Sequence, residues 1–318
     1  MRLQLRSLVA AVALLFAASP FARAVDLLYV TIGNHTIVTY DTTGNVGATI
    51  LATQVTFAST NLSSPQGLAF DLSGNLYAAN NTGNTISKFD SAGLFKGSIS
   101  SNLSGPRGLA FDSSGNLYAA NVTGSTISKF DSADIFKSSI SSNLSAPQGL
   151  AFDSSGNLYA ANGTGNTISK FNSLGNFDTN ITSNLSTPNG LAFDSSGNLY
   201  ASNSGNNTIS KFDSAGLFKG SISSNLNSPR GLAFDSLGNL YAVNAGNDSI
   251  SKFNPDGNFV TSWLTTATPR SIAFKPVTVP EPSTYALAAI ATGVMATIAR
   301  RRKARQLDSN PETGGYRL

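Results

Sequence analysis

The stretch "GLAFDSSGNLYAAN" fills residues 108–121 and returns unchanged at 149–162. With one substitution it returns again at 190–203, as "GLAFDSSGNLYASN". The glycines that open it and its close copies are Gly67, Gly108, Gly149, Gly190 and Gly231, spaced by a constant 41 residues. A strict period near 40 with several strands per unit is the mark of a propeller, in which each repeat is one blade. Four short strand-like runs fit inside one period: "GLAFD", "LYAAN", "TISKFD" and "FKGSIS". Polar and glycine-containing turns separate them. Alternation is incomplete in the first two, as expected if both faces of a blade pack on neighbours. Ala69, Ala78 and Ala79 then leave room for residues such as Leu68, Phe70 and Leu76 across the gap. No helical period appears between residues 25 and 279.

The ends of the repeat region complete the count. Residues 27–57 supply a second, third and fourth strand but have no "GLAFD". The missing strand comes at the other end as "PRSIAF", Pro269 to Phe274, with no later strands of its own. Five whole units and one shared between the termini predict an all-β, six-bladed propeller of four-stranded blades. Pairing of 270–274 beside 27–32 closes the ring and removes an exposed sheet edge.

The most repeated letters belong to turns. Asp71-Leu-Ser-Gly74-Asn75 and its copies fit a hairpin in which the aspartate accepts a backbone N–H and the glycine takes the left-handed position. Asp112, Asp153, Asp194 and Asp235 repeat this role, and Asp90, Asp131 and Asp213 serve a second hairpin. A calcium loop is the sharper alternative for "DSSGN", but it needs several converging carboxylates and each turn offers one.

Both termini read as targeting segments. Residues 1–24 carry Arg2 and Arg6, an apolar run from Leu8 to Ala18, and Ala22-Arg23-Ala24 at the end, which is the order of a secretory signal peptide. At the far end, Pro280-Glu281-Pro282 precedes an apolar stretch, 285–299, and then Arg300, Arg301, Arg302, Lys303 and Arg305. This is a short membrane-inserting helix with a basic stop on the cytoplasmic side. The chain thus divides into a signal peptide (1–24), the propeller (25–275), a linker with the Pro-Glu-Pro motif (276–284), a transmembrane sorting helix with its basic cluster (285–305) and a polar tail (306–318).

The formal charge of the whole chain is +4. Residues 25–279 alone hold twelve Lys and Arg against fourteen Asp and no Glu, about −2, so the basic character sits in the terminal segments. That removes the main support for nucleic-acid binding. With no cysteine there is neither a disulfide framework nor thiol chemistry. No cofactor motif, phosphate loop or metal-ligand cluster is visible, so no catalytic, metal or cofactor site is assigned.

The C-terminal segment closely resembles the PEP-CTERM sorting signal of Gram-negative bacteria. The resemblance implies recognition by an exosortase, cleavage near Pro280-Glu281-Pro282, transient membrane anchoring through 285–299, and delivery to the cell surface or extracellular matrix. The repeat itself, "P-x-G-L-A-F-D-x-x-G-N-L-Y-A-A-N…I-S-K-F" over 27–274, resembles the NHL-repeat propellers and the related virginiamycin B lyase group. It departs from the usual NHL unit at Asn80 and Thr85, where that unit carries Asp and Arg. The lyase-type propellers rely on histidine and acid near the mouth of the ring. This chain has one histidine, His35, in a loop whose counterparts are Asn84, Ser125, Asn166, Asn207 and Asp248, so it reads as solvent-facing.

What remains is a polar face where the blade-connecting loops and the loops between second and third strands meet. The residue before each inner strand forms one expected ring: Gln66, Arg107, Gln148, Asn189, Arg230 and Arg270. Asn80, Asn121, Asn162, Asn203 and Asn244 form a second, broken at Ile32. Planar amides and guanidinium groups suit sugar hydroxyls and acidic carboxylates. Three functional readings follow: a surface or matrix propeller that binds polysaccharide or protein, a lyase or hydrolase of the virginiamycin-B-lyase-like class, and a structural repeat with no specific ligand.

Overall fold

The computed structural model describes residues 27–33, 35–42 and 54–275. The expected signal peptide (1–24) and the C-terminal sorting segment, including Pro280-Glu281-Pro282, the helix expected over 285–299 and Arg300–Arg302, lie outside the described residues.

The described chain forms six four-stranded antiparallel sheets, each a simple meander. The blade that opens the regular series has an inner strand Pro65–Phe70, a second Leu76–Asn80, a third Thr85–Phe89 and an outer Phe95–Ile99. Four more blades repeat this plan up to Leu264. The sixth is composite. Its inner strand Pro269–Phe274 pairs with Leu27–Ile32, followed by Thr36–Asp41 and Val55–Ala58. Leu28 faces Phe274, Val30 faces Ile272 and Thr31 faces Ser271, so the ends of the domain are tied in one sheet, as the spacing predicts.

Packing between blades follows from the pleat. Consecutive residues of a strand point to opposite faces, and in a blade both faces are covered. In Leu76–Asn80 every residue is buried. Tyr77 and Ala79 join Leu109, Leu117 and Phe130 of the next blade. Leu76 and Ala78 join Tyr29 and Ile37 of the preceding one. The alanines are small because a neighbouring blade's leucine or phenylalanine fills the space above them. Each interface also holds one edge-to-face Tyr–Phe pair, for example Tyr77–Phe111 at 5.0 Å between ring centres. The series runs through Tyr118–Phe152, Tyr159–Phe193 and Tyr200–Phe234. It closes through the composite blade with Tyr241–Phe274 and Tyr29–Phe70. Such pairs add about 0.5–1.5 kcal/mol each beyond area burial.

The inner strands start two residues earlier than the apolar pattern suggests. Pro65 already pairs with Asn80, and the register then jumps to Leu68 opposite Ala78. The same jump occurs in the next four blades. Residues 66 and 67 and their copies therefore form a bulge inside the strand, where a ladder is interrupted and side chains are re-aimed. The ring residues are the second residues of the inner strands rather than the residues before them.

Candidate functional site: an axial ring of arginine and amide side chains

The six bulges bring Gln66, Arg107, Gln148, Asn189, Arg230 and Arg270 around one small cavity at the propeller axis, of about 60 Å³. Gly67, Gly108, Gly149, Gly190 and Gly231, with Ser271 in the composite blade, line the same cavity. The glycines explain how close the strands come. A β-carbon on Gly108 would fall on the carbonyl oxygen of Gln148 in the next blade, and one on Gly231 would lie 2.8 Å from the Ser271 Cα. A side chain at these positions would push the blades apart.

Charge at the ring is of one sign. Arg107 Nη1 donates to Gln148 Oε1 at 2.5 Å, and Gln148 Nε2 donates to the Ala146 carbonyl at 3.1 Å. Beyond that bond the guanidinium groups are poorly served: the Nε atoms of Arg107, Arg230 and Arg270 are all buried with no hydrogen-bond partner among the described residues. The seven ion pairs among the described residues are all Lys–Asp and use none of the three. Burial pushes the Arg107 and Arg230 guanidinium pKa down, and repulsion from Arg270 pushes the same way for both. The cavity lining contains no Asp, Glu or His.

The second expected ring is placed elsewhere. Asn80, Asn121, Asn162, Asn203 and Asn244 are at most 1 % exposed, and none lines the axial cavity. Each amide is spent within the protein. Asn80 Oδ1 accepts the Ser63 N–H at 3.0 Å, and its Nδ2 donates to Thr85 Oγ1 at 3.0 Å and Ser87 Oγ at 2.8 Å. Ser87 Oγ in turn donates to the Asn61 carbonyl. The other four asparagines repeat the arrangement. They pin the blade-connecting loop to its own blade, and Asn121 also lines a separate cavity with Asn102, Ser104 and Ser139. Ile32, at the sixth position, is buried in the core.

The loop position of His35 has a backbone role. His35, Asn84, Ser125, Asn166, Asn207 and Asp248 all take left-handed φ, from 47° to 61°. In four units the side-chain oxygen accepts an N–H of the next blade's loop, as Asn84 Oδ1 does from Gly105 at 2.7 Å. His35 is exposed. At the opposite end of the axis the hairpins behave as read from sequence. Asp71 Oδ1 accepts the Ser73 and Asn75 N–H groups at 2.9 and 2.8 Å, Oδ2 accepts the Asn75 amide at 2.8 Å, and Gly74 has φ 79°. No group of three or more acids or histidines that could hold a metal occurs among the described residues.

Two features escape the sequence pattern. Asp134 occupies the left-handed hairpin position that glycine fills elsewhere, with φ 64°. From there it accepts the Tyr77 hydroxyl and pairs with Lys88 Nζ, both at 3.1 Å, across a blade boundary. The repeated "SKF" lysines also lie over tyrosine rings, as Lys129 does over Tyr118 at 5.1 Å. The fixed spacing of Tyr and Lys on paired strands carries that second signal.

Fold and ring define a closed six-bladed β-propeller with an arginine-bearing mouth. Residues 185–212 match the NHL repeat and residues 278–303 match the PEP-CTERM protein-sorting motif. The chain is an NHL-repeat-like six-bladed β-propeller that carries a PEP-CTERM signal. That signal marks it for export and exosortase-mediated, membrane-anchored sorting in Gram-negative bacteria. No curated protein matches the chain. Among solved structures, a chain of a nidogen/laminin complex aligns with TM-score 0.69 and 19 % identity over 80 % of this chain and 99 % of that one. Virginiamycin B lyase from Staphylococcus aureus aligns with TM-score 0.59 and 14 % identity over 79 % and 89 %. A protein of unknown function from Bacteroides caccae aligns with TM-score 0.63 and 12 % identity over 80 % and 100 %. At these identities the likeness is one of fold, a fold that hosts many unrelated activities.

Proposed function

We propose that this exported propeller is a binding module of the cell surface or extracellular matrix, and that its ligand is an acidic polysaccharide engaged at the mouth bearing Arg107, Arg230 and Arg270. One observation carries this reading: three arginines line one axial cavity with no acid among its lining residues. Planar guanidinium forks match carboxylates in shape and charge. The ring also varies from blade to blade while its surroundings barely change, as a shaped site on a symmetric scaffold requires. The hairpin end is a poorer candidate because its aspartates are saturated by their own turns. The cavity is far smaller than the roughly 300 Å³ at which pockets begin to enclose drug-sized ligands. A sugar ring therefore lies across the mouth and does not enter the channel.

The test is retention of the protein on polygalacturonate against neutral dextran at low salt. Wild type should be held by the acidic polymer and released as salt rises, since the polymer's carboxylates are screened from the mouth over a length of ~8 Å at physiological ionic strength. The triple variant Arg107→Gln, Arg230→Gln, Arg270→Gln should lose retention while keeping its fold. Equal retention of wild type and variant would overturn the reading.

A further inference from the structure

We infer that the axial cavity is a site for one small anion of carboxylate size, held jointly by Arg107, Arg230 and Arg270, and that filling it stabilises the closed ring. The inference deepens the preceding reading by naming the group recognised, and it rests on that reading only where the carboxylate belongs to a polymer.

Three observations point the same way. First, the Nε atoms of three arginines from three blades are buried and unpartnered among the described residues. A lone orphaned donor is an ordinary defect, but these three belong to arginines that all line one cavity with no acid in its lining. Second, the charges feel one another: the pKa of Arg107 and of Arg230 is lowered first by burial and then by Arg270. A guanidinium stays protonated under all ordinary conditions, so it does not escape burial by losing its proton. The remaining relief is a negative charge placed among the three. Third, the cavity of about 60 Å³ has room for a few waters or a group the size of a carboxylate. Gln148 is already oriented for this arrangement, because its carbonyl oxygen faces the Arg107 Nη1 and its amide is held by Ala146.

The inference also gives a reason for closure to be sensitive to solutes. Arg107, Arg230 and Arg270 belong to three different blades, one of them the composite blade that joins the termini. Without an anion their repulsion acts against closure; with one, the same charges draw the blades inward.

The experiment is a thermal melt of the full-length wild-type protein in increasing sodium formate. Ionic strength is held constant with a bulky aryl sulfonate that does not fit the cavity. The melting temperature should rise and saturate with formate, following the ligand-binding relation for a native-state site. The triple glutamine variant should show no such rise, and without formate it should melt at or above the wild-type temperature because like charges have been removed. The single variant Arg230→Gln gives the same comparison with a smaller perturbation of folding. A formate response absent from wild type, or equal in wild type and variants, overturns the inference. Galacturonic acid and its trimer separate the two sources of the carboxylate. If they reproduce the shift and compete with formate, the site takes a polymer-borne carboxylate. If formate alone acts, the anion site stands and the polymer reading at this mouth falls.

Discussion

Replacing Asn162 with alanine should destabilise the propeller and leave ligand binding intact. The magnitude follows from what the amide does. Asn162 is 1 % exposed. Its Oδ1 accepts the Ser145 N–H at 3.0 Å, and its Nδ2 donates to Thr167 Oγ1 and Ser169 Oγ at 3.0 and 2.8 Å. Alanine orphans one partly buried backbone donor and two hydroxyl acceptors. An orphaned buried group costs about 1–3 kcal/mol. Ser169 still donates to the Asn143 carbonyl, so its loss is partial and the total should be about 3 kcal/mol. For a domain of this size 1 kcal/mol shifts the melting temperature by roughly 2–4 °C, which gives a drop of about 6–12 °C. The assay is scanning calorimetry of variant against wild type, with Leu94→Ala as a surface control, since Leu94 is 64 % exposed. A melting temperature unchanged from wild type, or a loss of polygalacturonate retention with stability preserved, would refute the assignment of these asparagines to the scaffold.

Other outcomes follow from the same structure. Deleting Pro269–Phe274 removes the strand paired with Leu27–Ile32 and the Tyr241–Phe274 contact. With buried Ile272 worth about 1.5–3 kcal/mol and partly buried Phe274 adding to it, the deletion should lower the melting temperature and promote aggregation; unchanged melting would show that these strands do not close the ring. The mature protein should begin at or near Val25 and lack the segment after Pro282, as read by mass spectrometry of the surface fraction, and recovery of intact Leu318 there would refute exosortase processing. Acid should weaken the hairpin end. Burial alone would raise the Asp194 pKa, but the Asn198 amide, two backbone N–H groups and Lys211 outweigh it and hold the carboxyl below its ordinary value. Its contribution is therefore full above about pH 4, the usual carboxylate range, and is lost as pH falls through the lower folded value. Asp194→Asn should flatten that part of the stability–pH curve.

Legibility in the sequence tracked how local each cause was. The hairpin aspartates and glycines act within five residues, so their role could be read directly. The blade count followed from spacing alone. The two-residue bulge at 66–67 was hidden, because a pattern of apolar residues marks the paired part of a strand and not the segment where pairing lapses. The buried asparagine network was hidden for another reason. Asn80 looks exposed at a strand end, yet its partner Ser63 lies 17 residues upstream, and the Asn61 carbonyl that completes the network is 26 from Ser87. The repeat did contain the signal. Asn, together with Ser seven residues later, is identical in all five regular units, while the ring position reads Gln, Arg, Gln, Asn and Arg. Within one chain, identity among units marked the scaffold, including the glycines of the axial cavity, and variation against that background marked the polar side chains beside them.

The proposed binding mode has ligand at the arginine end of the axis and not at the hairpin end. Hydrogen–deuterium exchange of the protein with and without polygalacturonate tests it most directly. Slowed exchange should appear in the segments 105–108, 187–190, 228–231 and 268–271 of wild type, and should vanish in the triple glutamine variant. Protection confined to the Asp-x-x-Gly hairpins at 71–75 and their copies, or binding that slows neither end, would contradict it.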